Sequence, residues 1–262
     1  MLKTLLVRLR QGHSTLKYPD APAQLPERFV GRPRLDADLC ASDCDACVGV
    51  CPTEAVKVDA RGDQPDVGSP GASLDLGRCL FCTACSRACP TGAITFTNEH
   101  AMATRKREHL EVSGEGMELA QALERQSLKL FGRSLRLRQV SAGGCNGCEA
   151  ELNALNNVVF DLSRFGVGFV ASPRHADGLL ITGPVSESMK AALLDTYAAV
   201  PEPRLVIAVG ACAISGGPYL DHPEANNGCD GLLPVDLYVP GCPPHPLTIL
   251  DGLLRLLGRI NR

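Results

Sequence analysis

The chain's 13 cysteines carry most of its potential chemistry, and all but one fall into spaced groups. Cys40, Cys44, Cys47 and Cys51 form C-x3-C-x2-C-x3-C-P, and Cys79, Cys82, Cys85 and Cys89 form C-x2-C-x2-C-x3-C-P. These runs are an internal repeat, because Cys44, Cys47 and Cys51 map onto Cys82, Cys85 and Cys89 at a constant offset of 38. The flanks match too: Cys-Pro-Thr-Glu-Ala-Val56 against Cys-Pro-Thr-Gly-Ala-Ile94. Cys40 and Cys79 are offset by 39, so the first run carries one extra residue, which should bulge its loop. Cys145 and Cys148 lie in Gly143-Gly144-Cys145-Asn146-Gly147-Cys148-Glu149, with Cys212 in Val-Gly-Ala-Cys-Ala and Cys242 in Pro-Gly-Cys-Pro-Pro. Clustered cysteines in a chain without a secretory signal read as metal ligands rather than disulfides. The duplicated spacing is that of thiolates holding 4Fe–4S clusters. A cubane needs four thiolates; one tight loop supplies three, and the fourth must come from elsewhere. Two zinc sites are the alternative, but eight cysteines in this duplicated form are far more specific than a lone C-x2-C pair. Cys229, in Asn226-Asn-Gly-Cys-Asp230, has no companion spacing and reads as a surface or structural thiol.

Short strands expected at 55–58 and 93–97 flank the two runs. Pro52 and Pro90 turn the chain away after the last cysteine of each. Arg61 to Gly71 is a turn-rich insertion between them. Residues 116–131 read as one connecting helix, with Met117, Ala120, Leu123, Leu128 and Phe131 on its apolar face and Gly132 at its stop. From residue 134 onward strands and helices alternate. Strands are expected at 135–140, 167–171, 178–182, 205–209 and 236–239, and helices at 149–159, 187–200 and 246–257. Such alternation implies a parallel sheet covered on both faces. The 205–209 run is apolar throughout, as buried parallel strands are. Ligands of such sheets sit outside the carboxyl ends of the strands. Cys145, Cys212 and Cys242 each follow an expected strand, so they converge on one edge with Cys148 beside the first. Small residues flank them (Gly143, Gly144, Gly147, Gly210, Ala211, Ala213, Gly241) and let backbone amides approach a cluster's sulfurs.

Composition bounds the rest. The chain has 262 residues, 45% of them hydrophobic, enough for one large domain or two smaller ones. A net charge of −3 makes no global case for nucleic acid. Arg105, Lys106, Arg107, Arg133, Arg136 and Arg138 form either a local basic patch or a solvated linker face. No run approaches ~18 apolar residues, so no bilayer span is expected. The start, Met1 to Arg10, lacks the apolar core and cleavage site of a signal peptide. Leu2, Leu5, Leu6 and Leu9 share a helical face there, which either packs or docks on a partner or membrane surface. The polar, proline-rich stretch to residue 39 reads as an extended arm.

These residues resemble known families. Residues 40–90 resemble a two-cluster ferredoxin, in which the fourth cysteine of each run ligates the other cluster. That implies one cluster on Cys40, Cys44, Cys47 and Cys89 and a second on Cys79, Cys82, Cys85 and Cys51. The arm, with Gly12-His-Ser-Thr-Leu-Lys-Tyr-Pro19 and Phe29-Val-Gly-Arg-Pro33, resembles the ferredoxin-like subunits of formate hydrogenlyase and complex I. Residues 136–256 resemble the small subunit of energy-converting (group 4) nickel–iron hydrogenases, a relative of a complex I subunit. The strings are Gly-Cys-Asn-Gly-Cys-Glu-Ala-Glu151, Ser172-Pro-Arg-His-Ala-Asp-Gly-Leu-Leu-Ile-Thr-Gly-Pro184, Val209-Gly-Ala-Cys-Ala213 and Val239-Pro-Gly-Cys-Pro-Pro244. His245 stands where the resemblance would more often put Arg. The implied fold is a flavodoxin-like α/β parallel-sheet domain preceded by a small ferredoxin-like α+β domain. Its implied divisions are an N-terminal helix and arm (1–39), ferredoxin domain (40–98), helical connector (99–134) and small-subunit-like domain (135–262). The resemblance further implies a third 4Fe–4S cluster on Cys145, Cys148, Cys212 and Cys242, making three, and an electron-relay subunit with no catalytic residue of its own. Implied partners are a nickel–iron large subunit, membrane-integral subunits, and a donor or acceptor such as formate dehydrogenase or ferredoxin. The implied location is cytoplasmic, peripheral on the cytoplasmic face of the inner membrane through those partners. The complex I relative carries adjacent cysteines at the first position, whereas Cys145 and Cys148 are separated as in hydrogenases. That spacing favours the hydrogenase over a quinone reductase; a free electron carrier and a zinc module are further alternatives. Glu149 and Glu151 are either proton carriers beside the third site or ordinary helix-start carboxylates, and His175 reads as structural.

Overall fold

The structure, a computed structural model, describes residues 2–40, 44–58, 72–114, 116–132 and 134–260. The expected insertion at Arg61 to Gly71, and Arg133 of the basic stretch, lie outside the described residues. The C-terminal half is a sheet of five parallel strands. Numbered within the whole chain, these are β6 (Leu135–Ser141), β7 (Val167–Phe169), β8 (Gly178–Thr182), β9 (Leu205–Val209) and β10 (Leu237–Val239). Their order is β10-β9-β8-β6-β7. Counted from β6 as the first strand, that is the flavodoxin-like order 2-1-3-4-5, whose switch point falls between the first and third strands.

The sheet is apolar on both faces because side chains alternate along each strand. Leu179 and Ile181 of β8, with Val206 and Ala208 of β9, face one core; Leu180, Ile207 and Val209 face the other. The second core is closed by α5 (Gly147–Ala154) and α8 (Pro246–Leu256), every residue of α8 being buried. The first core is continuous with Leu35, Val56, Leu74, Leu76, Ile94 and Val112 of the N-terminal half. The two halves therefore share one apolar interior. At about 25 cal/mol per Å2, that shared burial opposes any separation of the halves.

The N-terminal half comprises two small antiparallel sheets, β1 (Pro33–Leu35) with β4 (Ile94–Phe96), and β2 (Val56–Val58) with β3 (Ala72–Asp75) and β5 (Glu111–Val112). The short helices α2 (Ala46–Gly49) and α3 (Ala84–Ala88) follow the first cysteines of each repeat. The arm's last residues thus belong to the ferredoxin-like unit as a strand. Earlier, the arm straps the sheet unit: Leu16 N–H donates to Val159 O at 2.9 Å, and Tyr18 Oη donates to Asp251 of α8.

Two expectations change. The apolar face at 116–131 is consistent with one helix, but α4 spans only Arg125–Phe131. Residues before it are extended because their amides are taken by distant carbonyls: Ala120 N–H by Ala103 O at 2.7 Å and Leu123 N–H by Leu256 O at 2.9 Å. Ala120 and Leu123 are still buried, as the pattern indicates, but by a strand-like route. Arg107 is not part of a solvated patch either. Its guanidinium forms a two-pronged ion pair with Asp75 of β3 and packs over Gly77, so it fastens the connector to the N-terminal half. Ser215 joins the two halves by donating to Gly77 O at 2.8 Å.

Candidate metal centres

Cys40, Cys44, Cys47 and Cys89 line one cavity with Leu35, Ala72 and Ile94. Cys51, Cys79, Cys82 and Cys85 line another with Leu74, Leu80 and Phe96. Each cavity takes three thiols from one repeat and one from the other, the exchange expected from the ferredoxin resemblance. The exchanged thiols are held alike. Cys51 Sγ accepts from Ala55 N–H at 3.1 Å and lies 3.9 Å from Thr53 Oγ1; Cys89 Sγ lies 3.6 Å from Thr91 Oγ1. Burial pushes the Cys89 thiol up, but hydrogen bonds from Thr91 and nearby amides outweigh it and favour the thiolate, the form that ligates a metal. Burial raises Cys79 to about 12, even though Phe81 N–H donates to its sulfur at 3.3 Å. A bound cation would reverse that preference for the neutral thiol. The threonines are visible in the sequence as the repeated Cys-Pro-Thr, but only packing against the thiols gives them a role.

The third quartet sits at the carboxyl edge of the five-stranded sheet, on the loops that follow β6, β9 and β10. Cys145 follows β6, Cys148 lies in the first turn of α5, Cys212 lies in α7 (Ala211–Ser215) after β9, and Cys242 follows β10. Burial, then the charges of Cys212, Glu149, Cys242 and Cys145, push up the Cys148 thiol, so the four groups lie within electrostatic reach. Burial, then Cys242 and Cys145, raise Cys212 to about 12. Cys145 and Cys242 are exposed while Cys148 and Cys212 are half-buried, so this centre opens to the surface. Backbone shape makes room for it. Asn146 has φ 70°, turning the chain between Cys145 and Cys148. Gly210 has φ +90°, and a β-carbon there would lie 2.5 Å from Cys148 Sγ.

Among the described residues, no three His, Cys, Asp or Glu are gathered as a single-ion site. The first two quartets instead ring a space, and all three offer thiol donors only. Thiols around a void, with amides aimed at sulfur, fit a four-iron cluster at the first two quartets. At the third, four thiols beside a glycine cradle have the donor chemistry for the same group.

Glu149 is buried beside the third quartet, where its Oε1 accepts from Ser141 and Thr182, each at 2.6 Å. Burial pushes its carboxyl up, but the two hydroxyls outweigh this and hold it below its ordinary value of 4.5. Ser141 and Thr182 face each other at the ends of paired strands, a register that the sequence did not reveal. Glu151, raised by burial, instead lines a crevice with Phe29, Phe81, Cys242 and His245. His245 Nδ1 caps α8 by accepting Leu247 N–H at 3.1 Å, and its ring packs edge-on against Phe29 and Phe160. His175 is exposed at a turn before β8. Cys229 is fully buried, with its amide donating to Ala213 O at 2.9 Å, and belongs to no quartet.

Residues 145–256 match the family described as "NADH ubiquinone oxidoreductase, 20 Kd subunit", and residues 39–93 match "4Fe-4S dicluster domain". The chain is 43% identical to "Probable membrane-bound hydrogenase subunit mbhJ" of Pyrococcus furiosus over 52% of its own length and 82% of that protein. It is 44% identical to "Formate hydrogenlyase subunit 7" of Escherichia coli over 52% of its length and 53% of that protein. It is 47% identical to one of the subunits of the NADH-quinone oxidoreductase of Rubrobacter xylanophilus over 44% of its length and 46% of that protein. The chain thus spans about half the length of the latter two relatives.

Proposed function

Because this chain belongs to the family of iron–sulfur subunits shared by membrane-bound hydrogenases and complex I-type oxidoreductases, we propose that it is the electron-relay subunit of a membrane-associated nickel–iron hydrogenase. Cys145, Cys148, Cys212 and Cys242 would hold the cluster nearest the large subunit. Cys79, Cys82, Cys85 and Cys51 would hold the middle one, and Cys40, Cys44, Cys47 and Cys89 the outer one. When bound, each 4Fe–4S cluster supplies reversible one-electron storage.

The observation that carries this reading is the arrangement of the three quartets. Cys82 is among the groups whose charge reaches Cys242, and Leu80 and Phe81 share a crevice with Gly241, Cys242 and Pro243. The middle and third quartets are therefore neighbours, and the exchanged Cys51 and Cys89 join the middle to the outer one. Such a row suits electron passage between a large subunit at the exposed Cys145–Cys242 edge and a donor or acceptor, formate dehydrogenase or ferredoxin, at the outer end. The chain's own residues fix the spacing: the shared core and the Ser215–Gly77 hydrogen bond keep the halves from separating. Glu149, held ionised by Ser141 and Thr182, keeps a negative charge beside Cys148. No helix among the described residues is long and apolar enough to cross a membrane, so membrane-integral partners would supply the spans.

The separated Cys145 and Cys148 favour the hydrogenase. The quinone-reductase relative keeps the second reading open, since its 47% identity is no lower than that of the hydrogenase relatives. Anaerobic purification with partner subunits tests both. We expect about 12 iron atoms per chain from three four-iron clusters, and nickel in the co-purifying large subunit. Nickel-free complexes that reduce quinone would replace the first reading with the second. Zinc in place of iron would sink both.

A further inference from the structure

We propose that α1 (Leu2–Gln11) is an interfacial helix that lies on an anionic lipid surface, giving this chain a membrane contact of its own. Every residue of α1 is exposed, and Leu2, Leu5, Leu6 and Leu9 are between 49% and 75% accessible. A helix whose leucines served the fold would bury them, as α8 does. At about 100° per residue, these four leucines fill an arc of about 100°. Lys3 and Arg10 flank one side of that arc and Arg8 the other, with Thr4 and Gln11 opposite. No acidic residue occurs in the helix. Basic side chains at the edges of a leucine stripe can reach lipid phosphates while their stems stay with the acyl chains.

Charge is the argument for lipid over other occupants. A net charge of −3 spread over 262 residues gives a second copy only a weak, diffuse attraction for three cations on one short helix. An anionic leaflet presents a dense sheet of negative charge to them. Length agrees: ten residues give a helix of about 15 Å, too short to cross a bilayer but suited to lying along it. The tether also agrees. Gly12, at φ +64°, ends the helix, and Thr15 and Leu16 then bond to Val158 O and Val159 O of the sheet unit. Val158, 70% exposed, adds an apolar side chain near the helix base. The helix is thus fastened at one end while its apolar stripe meets nothing of its own chain.

The test is co-sedimentation of the full chain with vesicles of phosphatidylcholine alone or with phosphatidylglycerol at one part in four. Iron content is measured on the same samples, so that failure of the cluster reading is seen separately. Binding should be stronger on the anionic vesicles and fall with salt, because screening shortens the reach of the charges. Each cation near the surface contributes roughly a five-fold factor, so K3Q/R8Q/R10Q should lose on the order of 100-fold on anionic vesicles. L5E/L9E should abolish binding to both kinds of vesicle. None of the substituted residues is buried, so iron content and unfolding temperature should not change in any variant. Equal binding by wild type and L5E/L9E would overturn the proposal. So would wild-type self-association, abolished by L5E/L9E, without vesicle binding, which would assign the stripe to a second copy. Stable docking of α1 on a co-purified partner subunit without vesicle binding would overturn it too.

Discussion

Replacing Gly210 by alanine should remove the third cluster and leave the other two. The new β-carbon would stand 2.5 Å from Cys148 Sγ. Ordinary contact needs about 3.5–4.0 Å, so one group must retreat by about 1 Å. Gly210 cannot retreat easily. Its amide donates to Val239 O at 2.9 Å, and that of Ala211 donates to Gly241 O at 2.8 Å, pinning the β9 loop to the β10 loop. Its φ of +90° adds strain of about 1–3 kcal/mol for any side chain. The thiol must therefore move, yet metal–ligand distances tolerate only about 0.2 Å. Iron should fall from about 12 to about 8 atoms per chain, the loss of one four-iron cluster. Electron paramagnetic resonance of the reduced protein should lose one of three signals. Gly49→Ala is the matched control, since a β-carbon there meets nothing within 4 Å and its φ is not positive. Full iron and three unchanged signals in Gly210→Ala would refute both the cradle and the assignment of Cys148 to the cluster.

Two other predictions follow from the same geometry. Cys89→Ala should empty the cavity of Cys40, Cys44 and Cys47 rather than that of its sequence neighbours Cys79, Cys82 and Cys85, while Cys51→Ala should do the reverse. Mössbauer or magnetic resonance spectra of the two variants should differ in which cluster is lost, and identical losses would show that the fourth ligands are not exchanged. His100 concerns pH: burial holds its imidazole below the ordinary 6.5, its ring packs edge-on to Tyr18, and its Nε2 is buried without a hydrogen bond. The unfolded chain then binds more protons than the folded one below about pH 6.5, so stability is full above that value and falls as the solution is acidified towards the folded pKa. His100→Phe keeps the edge contact and removes the titration. Between pH 7 and pH 5 the urea midpoint of the wild type should fall by more than that of His100→Phe, and parallel midpoints would count against this account.

How far the sequence could be read depended on whether a pattern was local. The alternation of strand and helix after residue 134 marked every strand of the parallel sheet, because buried strands must be apolar and the turns after them glycine-rich. The strand-end cysteines followed from that topology. Non-local bonds were hidden. The apolar positions at Ala120 and Leu123 suit a helix equally well, and only the carbonyls of Ala103 and Leu256, distant in the chain, decide for an extended path. The start of α5 at Gly147 rather than Glu149 likewise depends on Asn146 adopting a left-handed turn. Thr91, Ser141 and Thr182 are ordinary polar residues until packing brings each against a thiol or a carboxylate.

That left-handed turn bears on the choice between hydrogen and quinone chemistry. Adjacent residues in a helix or strand do not face each other, so two consecutive cysteines could ligate one cluster only through local distortion of the backbone. Here Asn146 and Gly147 take up the change of direction. Cys145 remains before the helix, exposed at the sheet edge, and Cys148 enters the first turn of α5, half-buried against the Gly210 cradle. The spacer therefore separates one exposed thiol from one anchored against the sheet. If the large subunit packs on Cys145 and Cys242, the spacer shapes that contact and not merely the metal site. The hydrogenase reading then rests on how this edge meets a partner, which is why nickel in the co-purified subunit decides it more sharply than any property of the isolated chain.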